Sequence, residues 1–125
     1  MSGSVALKPG DVIVARLPQQ VPNGREQEGY RPAVVVGLPQ RAGTGRYPMI
    51  LVVPVTTHRG QPWASAAPGL YPILPAGAGG LPVDSVVLTD QLRALDAGQV
   101  ARRLNTLTTT EYAPVHTALR SILSL

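Results

Sequence analysis

A chain of 125 residues with 44% hydrophobic content has room for one core and not for two domains, so residues 1–125 are expected to form a single unit. The absence of cysteine excludes a disulfide scaffold, a thiolate metal site and a thiol nucleophile. Eleven Lys plus Arg against seven Asp plus Glu give a net charge of +4, and all but Lys8 of the basic residues are arginine, the side chain suited to bidentate phosphate contacts.

No apolar block at the N-terminus has the length of a signal peptide, and no apolar run is long enough to span a bilayer. A cytoplasmic protein without a membrane partner is expected. In chain order, Asp11 to Leu17, Arg31 to Gly37, Met49 to Thr56, Tyr71 to Leu74 and Ser85 to Thr89 read as short strands rich in Val, Ile and Leu, separated by Gly/Pro clusters. Their spacing predicts a small, irregular open barrel. Pro54, Pro72 and Pro75 cannot donate to a ladder and are assigned to edges, bulges or strand ends. The segments Pro18 to Gly29, Pro39 to Pro48 and His58 to Gly69 are long for hairpins, and such loops on a rigid barrel are expected to form a binding groove. Ala76 to Gly80 lacks the lysine and strand-to-helix context of a phosphate loop and reads as a flexible turn. Asp96 is expected to cap a short helical turn with Arg102 and Arg103 near its end.

At the C-terminus the period changes. Thr108 to Glu111 matches a capping box, and Tyr112, Val115, Leu119, Ile122 and Leu123 recur at helical spacing. An amphipathic helix is predicted there, packed across one opening of the barrel, although Pro114 conflicts with a helix that starts at the box. The fold class is therefore α+β, mainly β.

The residues with the most chemistry lie in Gly24 to Pro32 and Val53 to Thr57. Arg31 stands where a loop enters an apolar run, so its guanidinium can present fixed donors to phosphate oxygens. Thr56 and Thr57 place hydroxyls at a strand end, where they can donate to a non-bridging oxygen. Glu26 adds a proton acceptor. A solvated Glu26–Arg31 ion pair beside ordinary strand-edge threonines explains the same residues without function.

Four segments in register separate these readings. Gly10-Asp11-Val12-Ile13-Val14-Ala15, the Glu26-Gln27 to Arg31-Pro32 loop, Val53-Pro54-Val55-Thr56-Thr57 and Leu81 to Arg93 resemble the MazF/PemK family of toxin endoribonucleases in type II toxin–antitoxin systems. The resemblance implies an SH3-like, CcdB-like barrel and metal-independent, sequence-specific cleavage of single-stranded RNA to 2′,3′-cyclic phosphate and 5′-hydroxyl ends. It carries the family's catalytic roles to Arg31, Thr56 and Glu26. It also implies a homodimer and inhibition by a cognate antitoxin. Arg25, Gln27, Thr57, His58, Arg59, Gln91 and Arg93 are expected to contact substrate. The segment Arg59 to Ala78 departs from the family by its length and its Pro, Gly and Ala content, which leaves sequence preference open.

Neither cofactor nor metal is expected. A two-histidine mechanism would require His58 and His116 to converge, and a loop role for the first and a helix-face role for the second are preferred. Two other functions are compatible with the fold. A CcdB-like toxin would bind DNA gyrase through a protein interface. A non-catalytic nucleic-acid-binding barrel would use Arg25, Arg31, Arg46 and Arg59, with Trp63 either stacking on a base or anchoring its loop; the low aromatic content, 4%, supplies such a module poorly.

Overall fold

The computed structural model describes residues 6–18 and 29–125. Seven strands, β1 (Asp11–Leu17), β2 (Gly29–Gly37), β3 (Met49–Thr57), β4 (Ile73–Leu74), β5 (Ser85–Val87), β6 (Arg93–Asp96) and β7 (Val100–Thr106), are joined by a short helix α1 (Pro62–Ala66) and closed by α2 (Thr109–Leu123). All pairings are antiparallel, in the order β4-β5-β3-β2-β1-β7, with β6 added to β3. The two ends of this order do not meet, so the barrel is open as expected.

Alternation along the three long strands builds a core on each face of the sheet. Val12, Val34, Val53 and Val55 pack with Val87, Leu81, Leu107, Val115 and Leu119 on the α2 side. Ile13, Ala15, Leu17, Ala33, Val35, Ile50, Val52 and Leu95 form the second core. Burial on both faces explains why these strands read as nearly continuous apolar runs.

β3 is the central strand. It pairs along one edge with β2, and along the other with β6 through Met49 to Val52 and with β5 through Val55 to Thr57. Pro54 falls where that second edge changes partner. Its carbonyl accepts from the Leu88 N–H at 2.9 Å, while its missing N–H interrupts no ladder. The expectation of an edge or strand-end proline is corrected to a junction in the middle of the sheet.

The capping box is present in both directions. The Thr108 hydroxyl accepts from the Glu111 N–H at 3.1 Å, and the Glu111 carboxylate accepts from the Thr108 N–H at 2.9 Å. The helix therefore starts at Thr109 despite Pro114. That proline lies on the exposed side, where the Thr110 carbonyl deprived of its helical donor can face water. Val115, Ala118 and Leu119 are buried and Tyr112 is half-buried, but Ile122 and Leu123 are exposed, so the packed stripe is shorter than its sequence pattern.

Three other expectations are corrected. The first concerns Asp96, which caps a single 3-10 turn, Ala97–Gln99, by accepting from the Gly98 N–H at 2.8 Å. The chain then runs extended, so Arg102 and Arg103 lie on β7, whose edge position and polar sequence hide its strand character. The strands expected at Tyr71 to Leu74 and Ser85 to Thr89 shorten to Ile73–Leu74 and Ser85–Val87. Ala76 to Gly80 is not a loose turn, because Ala78 and Gly79 are buried against β1. A Cβ on Gly79, at φ +57°, would stand 2.3 Å from Val12 Cγ2.

Asp11 fastens β1 to β7. Its fully covered carboxylate accepts from the Thr106 hydroxyl at 2.6 Å and from the Lys8 N–H at 2.9 Å, with Arg103 Nε at 3.4 Å from Oδ1. Burial pushes its pKa up, but the hydrogen bonds from Thr106, Lys8 and Arg103 together with the Arg103 charge outweigh it and hold the group below the usual value of 3.8. The stabilisation is complete above that value and lost as pH falls through the lower folded-state pKa. Acid titration of unfolding is expected to show wild type losing more stability below about pH 4 than Asp11→Asn, which is itself less stable at neutral pH by about 1–3 kcal/mol. Leu119→Asp, which sets an unpaired carboxylate against Val12 and Val34, is expected to cost about 3–5 kcal/mol, read as a lowered thermal midpoint.

Candidate active site

The β2–β3 ladder runs Val35↔Val52, Val34↔Val53, Ala33↔Pro54. The paired register ends there, and Arg31 on β2 and Thr56 on β3 each lie two residues beyond that last pair, at the same end of the two strands. Arg31 follows the parity of Ala33 and Val35, and Thr56 that of Ile50 and Val52, so both side chains belong to the face of the second core, where it opens to solvent. A guanidinium and a hydroxyl thus share that face just beyond the paired part of β2 and β3.

The same alternation separates the two threonines. Thr57 pairs with Ser85, which pairs with Leu74 of the α2-side core, and therefore turns away from Thr56. One hydroxyl faces Arg31 rather than two. The ladder continues through the His58 N–H, which donates to the Asp84 carbonyl at 2.8 Å and returns His58 to the Thr56 face. From β6, Arg93 pairs with Val52 and shares its face, with both terminal guanidinium nitrogens withdrawn from solvent. Gln91 precedes it in the 3-10 turn Thr89–Gln91. Arg31, Gln91 and Arg93 are each engaged in an interaction of their own.

After His58 the chain is tied down by one side chain. Gln61 donates through Nε2 to the Thr57 carbonyl at 2.8 Å and accepts the Arg59 N–H on Oε1 at 2.8 Å. This clamp leaves Arg59 exposed at the rim and starts α1 beside the end of β3. The acidic residues of this corner are already occupied: Asp84 Oδ1 accepts from the Ala76 N–H at 2.8 Å and Asp90 Oδ2 from the Tyr71 hydroxyl at 2.6 Å. Hydrogen bonding to Asp90, with burial and the Asp90 charge, raises the Tyr71 pKa.

Arg25, Glu26 and Gln27, with most of the loop Pro18 to Gly29, lie outside the described residues. Arg46 sits on the β2–β3 connection, stacked over Tyr47 at 5.4 Å, beside a pocket of about 370 Å³ lined by Pro39, Met49 and Ala97. This pocket lies at the Met49 end of β3 and Thr56 at the other, so among the described residues the loop Pro39 to Pro48 does not join the Thr56 site. His116 projects from α2 near Tyr112, on a different element from His58. Among the described residues, no three His, Asp or Glu side chains come together as a metal site. No helix among them is long and apolar enough to cross a membrane.

The model of the PemK-like, MazF-like toxins of type II toxin–antitoxin systems matches residues 8–123. The chain belongs to this family. Among solved structures, the toxin is similar to MazF from Deinococcus radiodurans, at 28% identity over 98% of this chain and 100% of that one, with a TM-score of 0.72. It also resembles that organism's MazE–MazF complex, at 24% identity over 98% and 99% of the chains and a TM-score of 0.66. An endoribonuclease from a mycobacterial species in complex with its cognate antitoxin shares the fold at 20% identity over 96% and 97%, with a TM-score of 0.66. No curated protein sequence matches the toxin.

The clamp at the end of β3 can be tested alone. Gln61→Ala removes the acceptor of the Arg59 N–H, and native-state hydrogen exchange at that amide is expected to rise about fivefold, with core amides unchanged.

Proposed function

We propose that this toxin is a metal-independent endoribonuclease that cleaves single-stranded RNA in the cytoplasm. The observation that carries the reading is the common face that strand alternation gives Arg31 and Thr56 at neighbouring strand ends, in a chain of the MazF/PemK family. A phosphodiester laid across β2 and β3 meets a cationic fork from one strand and a hydroxyl from the next.

The chemistry follows from these groups. The substrate's own 2′-oxygen attacks the adjacent phosphorus as its proton passes to a base, and the bond to the 5′-oxygen breaks. A 2′,3′-cyclic phosphate remains, and the 5′-oxygen leaves as a hydroxyl by taking a proton from solvent water, while the base returns its proton to solvent. Charge accumulates on the non-bridging oxygens of the phosphorane, where Arg31 donates and stabilises. A guanidinium suits this role better than proton delivery. Thr56 orients the scissile phosphate, and Glu26 is proposed as the base. Arg93 and Gln91 from the β6 side, with His58 and Arg59 at the rim, are proposed to hold flanking nucleotides, as are Arg25 and Gln27; Thr57, expected from sequence to contact substrate, is withdrawn because it lies on the opposite face of the sheet.

A homodimer and a cognate antitoxin complete the proposal. The antitoxin support comes from the MazE–MazF complex among the similar structures. An acidic, disordered antitoxin tail would compete with RNA for the arginines of this face.

Incubation of a long single-stranded RNA with the protein in EDTA is expected to give discrete cuts bearing cyclic-phosphate ends. Arg31→Ala is expected to lose about a hundredfold or more in rate, while keeping its melting temperature because the side chain is exposed. Intact RNA, or cleavage at wild-type rate by Arg31→Ala, would contradict the assignment.

A further inference from the structure

Beyond Thr56 the same face continues across two more strands. Thr56 pairs with Val86, and Val86 with Ile73, so the three side chains form one row from β3 through β5 to β4. Val86 is fully buried because Ala64 of α1, Leu88 and Tyr71 cover it. Trp63, next to Ala64, stands over this corner with its ring 4.9 Å from that of Tyr71, at an interplanar angle of 76°.

An indole that served only to anchor its loop would be buried, yet Trp63 is 46% exposed. Its position is nonetheless fixed. Tyr71 is held by its hydroxyl on Asp90 at 2.6 Å, the neighbouring Thr89 hydroxyl donates to the Leu70 carbonyl, and α1 is fastened to the end of β3 through Gln61. A rigid, half-open aromatic surface is the arrangement that binds a base with little loss of side-chain freedom. Arg59 is exposed nearby and supplies a cation for the phosphate of a stacked nucleotide.

We infer that Trp63 is the stacking platform for one base of the RNA, that of a nucleotide flanking the cleaved linkage on the β5 side of Thr56. The inference rests on the ribonuclease reading. Strands lie about 4.8 Å apart, so an indole above the β5 row is within reach of a nucleotide whose phosphate contacts Thr56. Tyr71 and Asp90 act as positioning residues. Stacking selects by ring area more than by hydrogen bonding, so a purine is favoured at this position. The segment after β3 thereby supplies part of the cut-site preference.

Trp63 is the only tryptophan in the chain, so its emission reports directly on the contact. The probe is an oligoribonucleotide spanning a mapped cut site, with a 2′-deoxy nucleotide at the cleaved linkage to prevent reaction, and its binding is followed independently by anisotropy. Expected are quenching of tryptophan emission that tracks binding, and a Trp63→Ala variant whose KM rises roughly five- to a hundredfold, the usual range for truncating an aromatic that stacks on a base. That variant is also expected to lose purine preference at one position beside the cut, whereas Trp63→Phe restores most of both. Binding without any change in emission, or an unchanged KM and cut pattern in Trp63→Ala, overturns the platform while leaving the ribonuclease reading in place. Should Trp63→Ala fail to fold, the wild-type titration decides. Failure of the wild-type protein to cleave or bind RNA removes both.

Discussion

The pairing of β3 on both its edges is the constraint on which the rest of this structure depends. Met49 to Thr57 contacts β2 on one side and β6 and then β5 on the other, so one strand fixes the relative positions of four. Its alternation leaves no freedom of register. A slip of one residue would carry Val53 and Val55 out of the α2-side core and would bring Thr57, not Thr56, to the face of Arg31. Stability and site geometry are thus specified by the same hydrophobic pattern.

Pro54 shows how the strand serves two partners. A residue without an N–H is excluded from the middle of a continuous ladder, and it sits at the one place where the ladder is already broken by the change from β6 to β5. The 3-10 turn Thr89–Gln91 links the two partner strands there, which is why Gln91 and Arg93 enter from that side. The junction lies directly before Thr56. Irregularity in the sheet and the placement of polar groups have a common origin.

At the far end of β3 the segment from Arg59 onwards is built onto the sheet rather than hung from it. Gln61 secures its start, Tyr71 and Asp90 its middle, and Asp84 its return through Ala76. Each of these bonds fixes a polar side chain in place. Arg59 and Trp63 stand exposed on the segment so held, a cation and an aromatic ring of the kind that single-stranded nucleic acid favours.

The sequence by itself determined the strands that are buried on both faces and the helix with its capping box, because these signals are local and strong. β1 is legible to the residue, and Thr108 with Glu111 marks the start of α2 in spite of Pro114. It also determined the family, through four motifs whose order needs no structure. What the tertiary structure decided was whatever depends on a partner. β6 and β7 were illegible because a short edge strand such as Arg93–Asp96 or a polar one such as Val100–Thr106 takes its form from the neighbour that hydrogen-bonds to it. Gly79 was read as loose because only the approach of Val12 forbids a side chain there. Register places the two threonine hydroxyls on opposite faces, which sequence alone does not show, and the half-open contact with Tyr71 fixes the place of Trp63, whose sequence context is compatible with both stacking and loop anchoring. Local pattern dictates which segments can be strands or helices; cross-strand register, set over long sequence separation, dictates which side chains meet.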